Sequence, residues 1–117
     1  MKYLVLIYDD PPSPDALSEG EVKAMARQCR ARTDELQQGG QLLDSRRLEP
    51  SHTATCLRVR NGRVAPSDDP SADDAEQLGG VDLIEARDLN DAIRVATRLP
   101  WARGGRIELR PLRALPD

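Results

Sequence analysis

The 117-residue sequence predicts an α+β domain, with two helices packed on one face of a mostly antiparallel sheet. Three observations carry this. Two stretches keep apolar residues at helical spacing, several short stretches are β-branched or alternate with period two, and the order strand, helix, strand occurs twice. A chain of this length has room for one core, since it buries roughly 60–70% of the surface its unfolded form exposes. Residues 1–117 are therefore read as a single domain.

The first element, KYLVLIY at 2–8, is apolar on both faces, as a strand covered on each side must be. The proline-rich DDPPSPD that follows removes ladder donors and ends it. Ser18 with Glu21 three residues on forms a capping-box signature, and Val22, Ala26, Cys29, Thr33 and Leu36 continue at spacings of four and three. This helix ends at Gly39-Gly40, where a left-handed cap costs glycine little. QLLDSRRL at 41–48 reads as a second strand. TATCLRVR at 53–60, Asn61-Gly62 and RVAP form a hairpin signal, because a type I′ turn needs positive φ at both central positions.

SDDPSADDAEQLGG at 67–80 reads as an acidic loop, and VDLIEA at 81–86 as the next strand. Asp88 and Asp91 open a second helix carrying Leu89, Ala92, Ile93, Ala96 and Leu99, which Pro100 ends. RIELRPL at 106–112 alternates, with Ile107 and Leu109 on one face and Arg106, Glu108 and Arg110 on the other. This order suits a ferredoxin-like arrangement. The doubly apolar first strand leaves the face opposite the helices to be covered, and a symmetric homodimer with a cleft near the subunit boundary is the economical cover.

Composition narrows the function. Net charge is −3 and the basic residues are scattered, which disfavours nucleic acid. With no Phe and only Tyr3, Tyr8 and Trp101 as aromatics, few flat surfaces exist for stacking a ligand. Cys29 and Cys56 lack CxxC spacing and are expected to be reduced core residues. The opening apolar run is too short for a signal or membrane segment, so a cytoplasmic location without membrane contact is expected. No cofactor motif stands out.

The polar residues allow several chemistries, each with a plain structural alternative. Asp68, Asp69, Asp73, Asp74 and Glu76 crowd one loop as hard-cation ligands do, but without EF-hand spacing, so they read as a solvated acidic loop whose side chains cap local turns and no metal site is expected. Asp68 is either a loop-stabilising acceptor or a base facing a cleft. Glu108 and Arg110 share a strand face and either line an anion-binding cleft or form a solvated ion pair. His52 and Cys56 lie four apart, as a nucleophile pair or as an unrelated turn histidine and buried cysteine. Tyr8, where the first strand ends, is a cleft border or a rim residue with a wet hydroxyl.

KYLVLIYDD at the start, the Asn61-Gly62 hairpin, SDDPSADDAEQLGG, and LNDAIRVATRLP followed by GGRIELRPL together resemble the YCII-related (DGPF) family. Asp68-Asp69-Pro70-Ser71 stands where that family carries Asp-Gly-Pro-Phe. The resemblance implies a dimeric α+β barrel-like fold with a cleft, and association with extracytoplasmic-function sigma factors. A subset of the family is proposed to use a His–Asp pair, with His on the first helix and Asp before the proline ending the second. Here Leu99 precedes Pro100 and the only histidine is His52, so that pair is absent. The expectation is a regulatory or interaction module. The alternative is a small-molecule enzyme or binder, lyase- or isomerase-like, with Tyr8, Asp68, Glu108 and Arg110 lining the cleft.

Overall fold

The computed structural model describes residues 1–9, 18–68, 77–100 and 105–115, with the backbone alone at 67 and 68. Among these are six strands, β1 (Lys2–Asp9), β2 (Leu42–Arg47), β3 (Thr55–Arg60), β4 (Arg63–Asp68), β5 (Gln77–Glu85) and β6 (Ile107–Pro111), and two helices, α1 (Glu19–Gln38) and α2 (Leu89–Ala96). Four strands form one antiparallel sheet of order β2-β5-β1-β6, and β3 and β4 form a hairpin of their own. Both helices pack on one face of the larger sheet, giving the expected α+β arrangement.

Local chemistry accounts for the element ends. Ser18 accepts the Glu21 backbone N–H at 3.2 Å and donates its hydroxyl to the Glu21 carboxylate at 3.0 Å, so one residue pair closes the start of α1. At the other end Gln41 N–H reaches Leu36 O at 3.0 Å and Gly40 N–H reaches Gln37 O at 3.1 Å, a Schellman closure with Gly40 at φ +75°. In α2, Asp88 caps the Asp91 N–H at 2.8 Å while the Asp91 carboxylate returns to the Arg87 N–H at 2.9 Å. Asn61 and Gly62 have φ of 53° and 76°, the turn their pairing predicts.

The core lies between the helices and the sheet. Tyr3, Val5 and Ile7 of β1 alternate onto this face, where Tyr3 sits opposite Ile84, Val5 opposite Asp82 and Ile7 opposite Gly80. Leu36, Leu42, Ala92, Val95, Ala96 and Leu99 close over them. Burying aliphatic side chains of this kind contributes roughly 1.5–3 kcal/mol each. The helices differ sharply: eight-residue α2 buries three residues, whereas twenty-residue α1 buries only Leu36 and leaves Val22 and Met25 about half exposed.

Several sequence expectations need correction. The acidic loop ends earlier than its composition implies, because Gln77 to Gly80 already pair with β1 and β2. Two glycines fit there since Arg47 fills the space beside Gly80: a Cβ on that glycine would lie 2.6 Å from the guanidinium. Regular helix in α2 ends at Ala96. Beyond it the N–H groups of Arg98 and Leu99 bond three residues back, to Val95 and Ala96, so helical spacing persists through a tighter turn up to buried Leu99. Neither cysteine is in the core; Cys29 and Cys56 are free and half-buried, because α1 stands partly clear of the sheet and Cys56 lies on the separate hairpin.

Candidate functional site

The face of the sheet away from the helices carries three of the four residues singled out from sequence. Leu4 and Leu6 of β1 lie opposite Leu83 and Val81 of β5, forming a half-buried apolar strip. Charged edges flank it. On β2, Asp44 and Arg46 pair at 3.3 Å, and at the β6 edge Glu108 contacts Arg106 at 3.5 Å and Arg110 at 3.3 Å. The Arg106 guanidinium also lies over the Tyr8 ring, 4.0 Å from its centre, so Tyr8, Arg106, Glu108 and Arg110 make one continuous row. The Asp68 backbone pairs with Thr55 at the base of the β3–β4 hairpin; its side chain lies outside the described atoms, as do Asp69, Asp73, Asp74 and Glu76. His52 lies in a 3-10 turn, Ser51–Thr53, three residues ahead of the start of the strand that carries Cys56.

A second polar group lies on the helix-facing side, and the sequence reading did not single it out. Asp82 occupies a position on β5 between Val5 of β1 and Ser45 of β2, and is 2% exposed. Ser45 Oγ donates to its Oδ1 at 2.7 Å, while the buried Oδ2 has no hydrogen-bond partner among the described residues. Buried carboxylate oxygens are rarely left so, and each one in a native fold asks for an explanation. Burial pushes the Asp82 carboxyl above the ordinary 3.8; the Ser45 bond and the positive charge of Arg47 pull the other way without cancelling it, and Asp44 adds to the rise.

Beyond Asp82 the same end of the sheet stays polar. Arg47 crosses Gly80 to hold Asp9 at 2.8 Å, tying the ends of β1 and β2 across β5. Gly79 makes this possible, because a Cβ there would collide with the Asp9 carboxylate. The signal for this group was a single acid inside the apolar run VDLIEA. Alternation alone reads it as surface; only the pairing register with β2 turns it inward, beside Ser45.

Between α1 and the end of α2 runs a groove of about 320 Å3 lined by Met25, Gln28, Cys29, Arg32, Thr97, Arg98, Leu99 and Pro100. Leu99, the pre-proline position at which the resemblance would put the Asp of a His–Asp pair, lines it. Arg98 and Arg32 both pair with Glu35, at 2.9 and 3.8 Å. Among the described residues no group of three or more His, Cys, Asp or Glu side chains is arranged to hold a metal ion, and no helix is long and apolar enough to cross a membrane.

Fold and site together describe a small α+β chain whose antiparallel sheet has a half-buried apolar strip on one face and a buried carboxyl on the other. It belongs to the YCII-related domain family, which matches residues 1–115. It is similar to an uncharacterized protein of Rhizobium meliloti (strain 1021), 34% identical over 114 residues that cover 96% of this chain and 92% of that one.

Proposed function

We propose that this YCII-related chain is a cytoplasmic small-molecule protein that moves a proton at Asp82. The observation that carries the reading is the buried Asp82 carboxyl, whose Oδ2 has no partner among the described residues. A module that served only as a scaffold would gain nothing from it, since an unsatisfied buried oxygen costs stability, whereas a displaced carboxyl pKa inside the fold is what acid–base chemistry requires. Ser45 fixes Oδ1 and so leaves Oδ2 as the exchanging atom. The reaction class that fits is proton transfer next to a carbonyl, as in isomerases and lyases, and because Oδ2 is buried it requires the polar end of the sheet, at Arg47 and Asp9, to open and admit the carbonyl compound. Ionised Oδ2 takes the proton from the carbon, the bonding electron pair moves onto the carbonyl oxygen as an enolate, and the protonated carboxyl then returns a proton to carbon.

Two further parts of the reading rest on other surfaces. The strip of Leu4, Leu6, Val81 and Leu83 supports a face-to-face homodimer of ferredoxin-like chains, with Tyr8, Glu108 and Arg110 at the rim of a cleft. The alternative, a regulatory module serving an extracytoplasmic-function sigma factor, draws support from the apolar stripe of Val22 and Met25 on α1, which this chain leaves uncovered.

Deuterium uptake separates the two functions. The protein is incubated in D2O with pyruvate, acetoacetate and other small carbonyl acids and followed by proton NMR. Wild-type protein should speed exchange at carbon for at least one compound, and Asp82→Asn should abolish the effect. No acceleration with any of them would remove the proton-transfer reading and leave the regulatory one.

A further inference from the structure

The ion pair at the polar end of the sheet lies in line with the buried carboxyl. On the helix-facing side of β5, Asp82 shares one row with Ser45 and Val5, and Gly80 shares the next with Arg47 and Ile7. Because Gly80 has no side chain, the Arg47 guanidinium lies across the strand there, 2.6 Å from where a Cβ would stand. Its Nη2 holds Asp9 at 2.8 Å, over Gly79. Along β5 one guanidinium therefore stands between two carboxyl groups, Asp9 toward the end of the sheet and Asp82 toward its interior.

The two acids differ in access. Asp82 is 2% exposed, whereas the Arg47 and Asp9 side chains are 37% and 38% exposed. A charged pair that water reaches contributes little to stability, so an incoming carboxylate replaces Asp9 at small cost, and the planar guanidinium grips it through two parallel bonds. Losing Asp9 also unties β1 from β2 across two glycines that have no side chains to hold that end. This is the opening that proton transfer at Asp82 requires.

We infer that Arg47 binds the carboxylate of a short oxo acid, that Asp9 holds its place in the resting protein, and that exchange of one for the other admits the acid to Asp82. Spacing selects the class. Rows two residues apart on a strand are separated by roughly 7 Å. A charge-assisted bond of ~2.8 Å to Arg47 and an approach of ~3 Å to Oδ2 leave room for roughly one or two bonds between the carboxyl carbon and the carbon that gives up its proton. That carbon is position 3 of a 2-oxo acid or position 2 of a 3-oxo acid, each beside its carbonyl. Its proton passes to ionised Oδ2 and the bonding pair to the carbonyl oxygen. The chemistry rests on the proposed proton transfer at Asp82, while the carboxylate site at Arg47 is testable without it.

Side-chain proton–nitrogen NMR of the full chain, titrated with pyruvate and with acetoacetate, tests the site. Acetone, which lacks the carboxylate, is the control. Either acid should move the Arg47 Nε–H signal and the Gly79 and Gly80 amides, and acetone should move none of them. Asp9→Asn should tighten binding by up to about fivefold, the worth of the exposed pair it removes. Arg47→Gln should abolish binding and exchange, whereas Asp82→Asn should bind both acids as wild type does and accelerate no deuterium exchange at carbon. Acids that leave Arg47 unmoved, or acetone that moves it equally, overturn the inference. So does Arg47→Gln protein that still accelerates exchange, a result that leaves proton transfer at Asp82 standing. An acid bound at Arg47 without exchange in wild-type protein overturns proton transfer instead and supports the carboxylate site. Should Arg47→Gln fail to fold, Asp9→Asn decides: tighter binding supports the exchange of carboxylates, and unchanged binding overturns it.

Discussion

The helix-facing surface of the sheet has two ends that are built in opposite ways. At one, Tyr3, Ile84 and Leu42 join Leu36 and Leu99 in one buried hydrophobic cluster. At the other, within one strand repeat, lie Asp82, Ser45, and the Arg47–Asp9 pair over two glycines. The first end is what holds the fold together; the second holds a carboxyl in a place where it costs stability. Packing does not explain that group, and the contrast between the two ends carries the proposed functional reading.

The comparison can be broken by substitution, beginning with the largest effect. Ile84→Ala at the apolar end leaves a cavity beside Tyr3 and should lower unfolding free energy by about 2–5 kcal/mol in urea titration. A smaller loss would mean that this end is not the packed one.

At the polar end the informative variable is pH. The folded-state pKa of Asp82 is raised, so the native protein binds this proton more tightly than the unfolded chain. Its contribution is therefore favourable at low pH and declines as pH rises from 3.8 through the folded value. Asp82→Asn should flatten that decline in unfolding curves taken between pH 4 and 8. An unchanged slope would show that Asp82 does not titrate there.

Asp91 supplies the opposite case. Accepting the Arg87 N–H, together with its bond to Arg94, holds its carboxyl at about 2. Its stabilisation is present above 3.8 and is lost as pH falls through about 2, so Asp91→Asn should leave α2 less acid-sensitive in circular dichroism. The neighbouring cap is a related loss: Asp88→Ala should cost about 1 kcal/mol at neutral pH.

The smallest effect belongs to the open face. Glu108→Ala removes contacts to Arg106 and Arg110, whose side chains are 55% and 69% exposed, and should change stability by less than about 1 kcal/mol in the same urea titration. A larger loss would mark these pairs as covered in solution, as a face-to-face dimer requires.

What was legible in the sequence follows from range. Caps, the Asn61-Gly62 turn and the alternation of β6 are fixed by residues a few positions apart, and they fall where the sequence puts them. The detachment of the hairpin, the early start of β5 and the inward turn of Asp82 depend on which strands pair and in what register, which neighbouring residues do not encode. Tyr8, Glu108 and Arg110 were found because they are polar on an alternating strand or at its end; Ser45 and Asp82 were missed because their partnership spans 37 residues.

The most direct test is a carbon-13 NMR titration of the Asp82 side-chain carboxyl. A midpoint clearly above 3.8, moving higher in Ser45→Ala as the stabilising hydroxyl is lost, is the predicted result. A midpoint at or below 3.8 would make Asp82 an ordinary ionised acid and contradict the account.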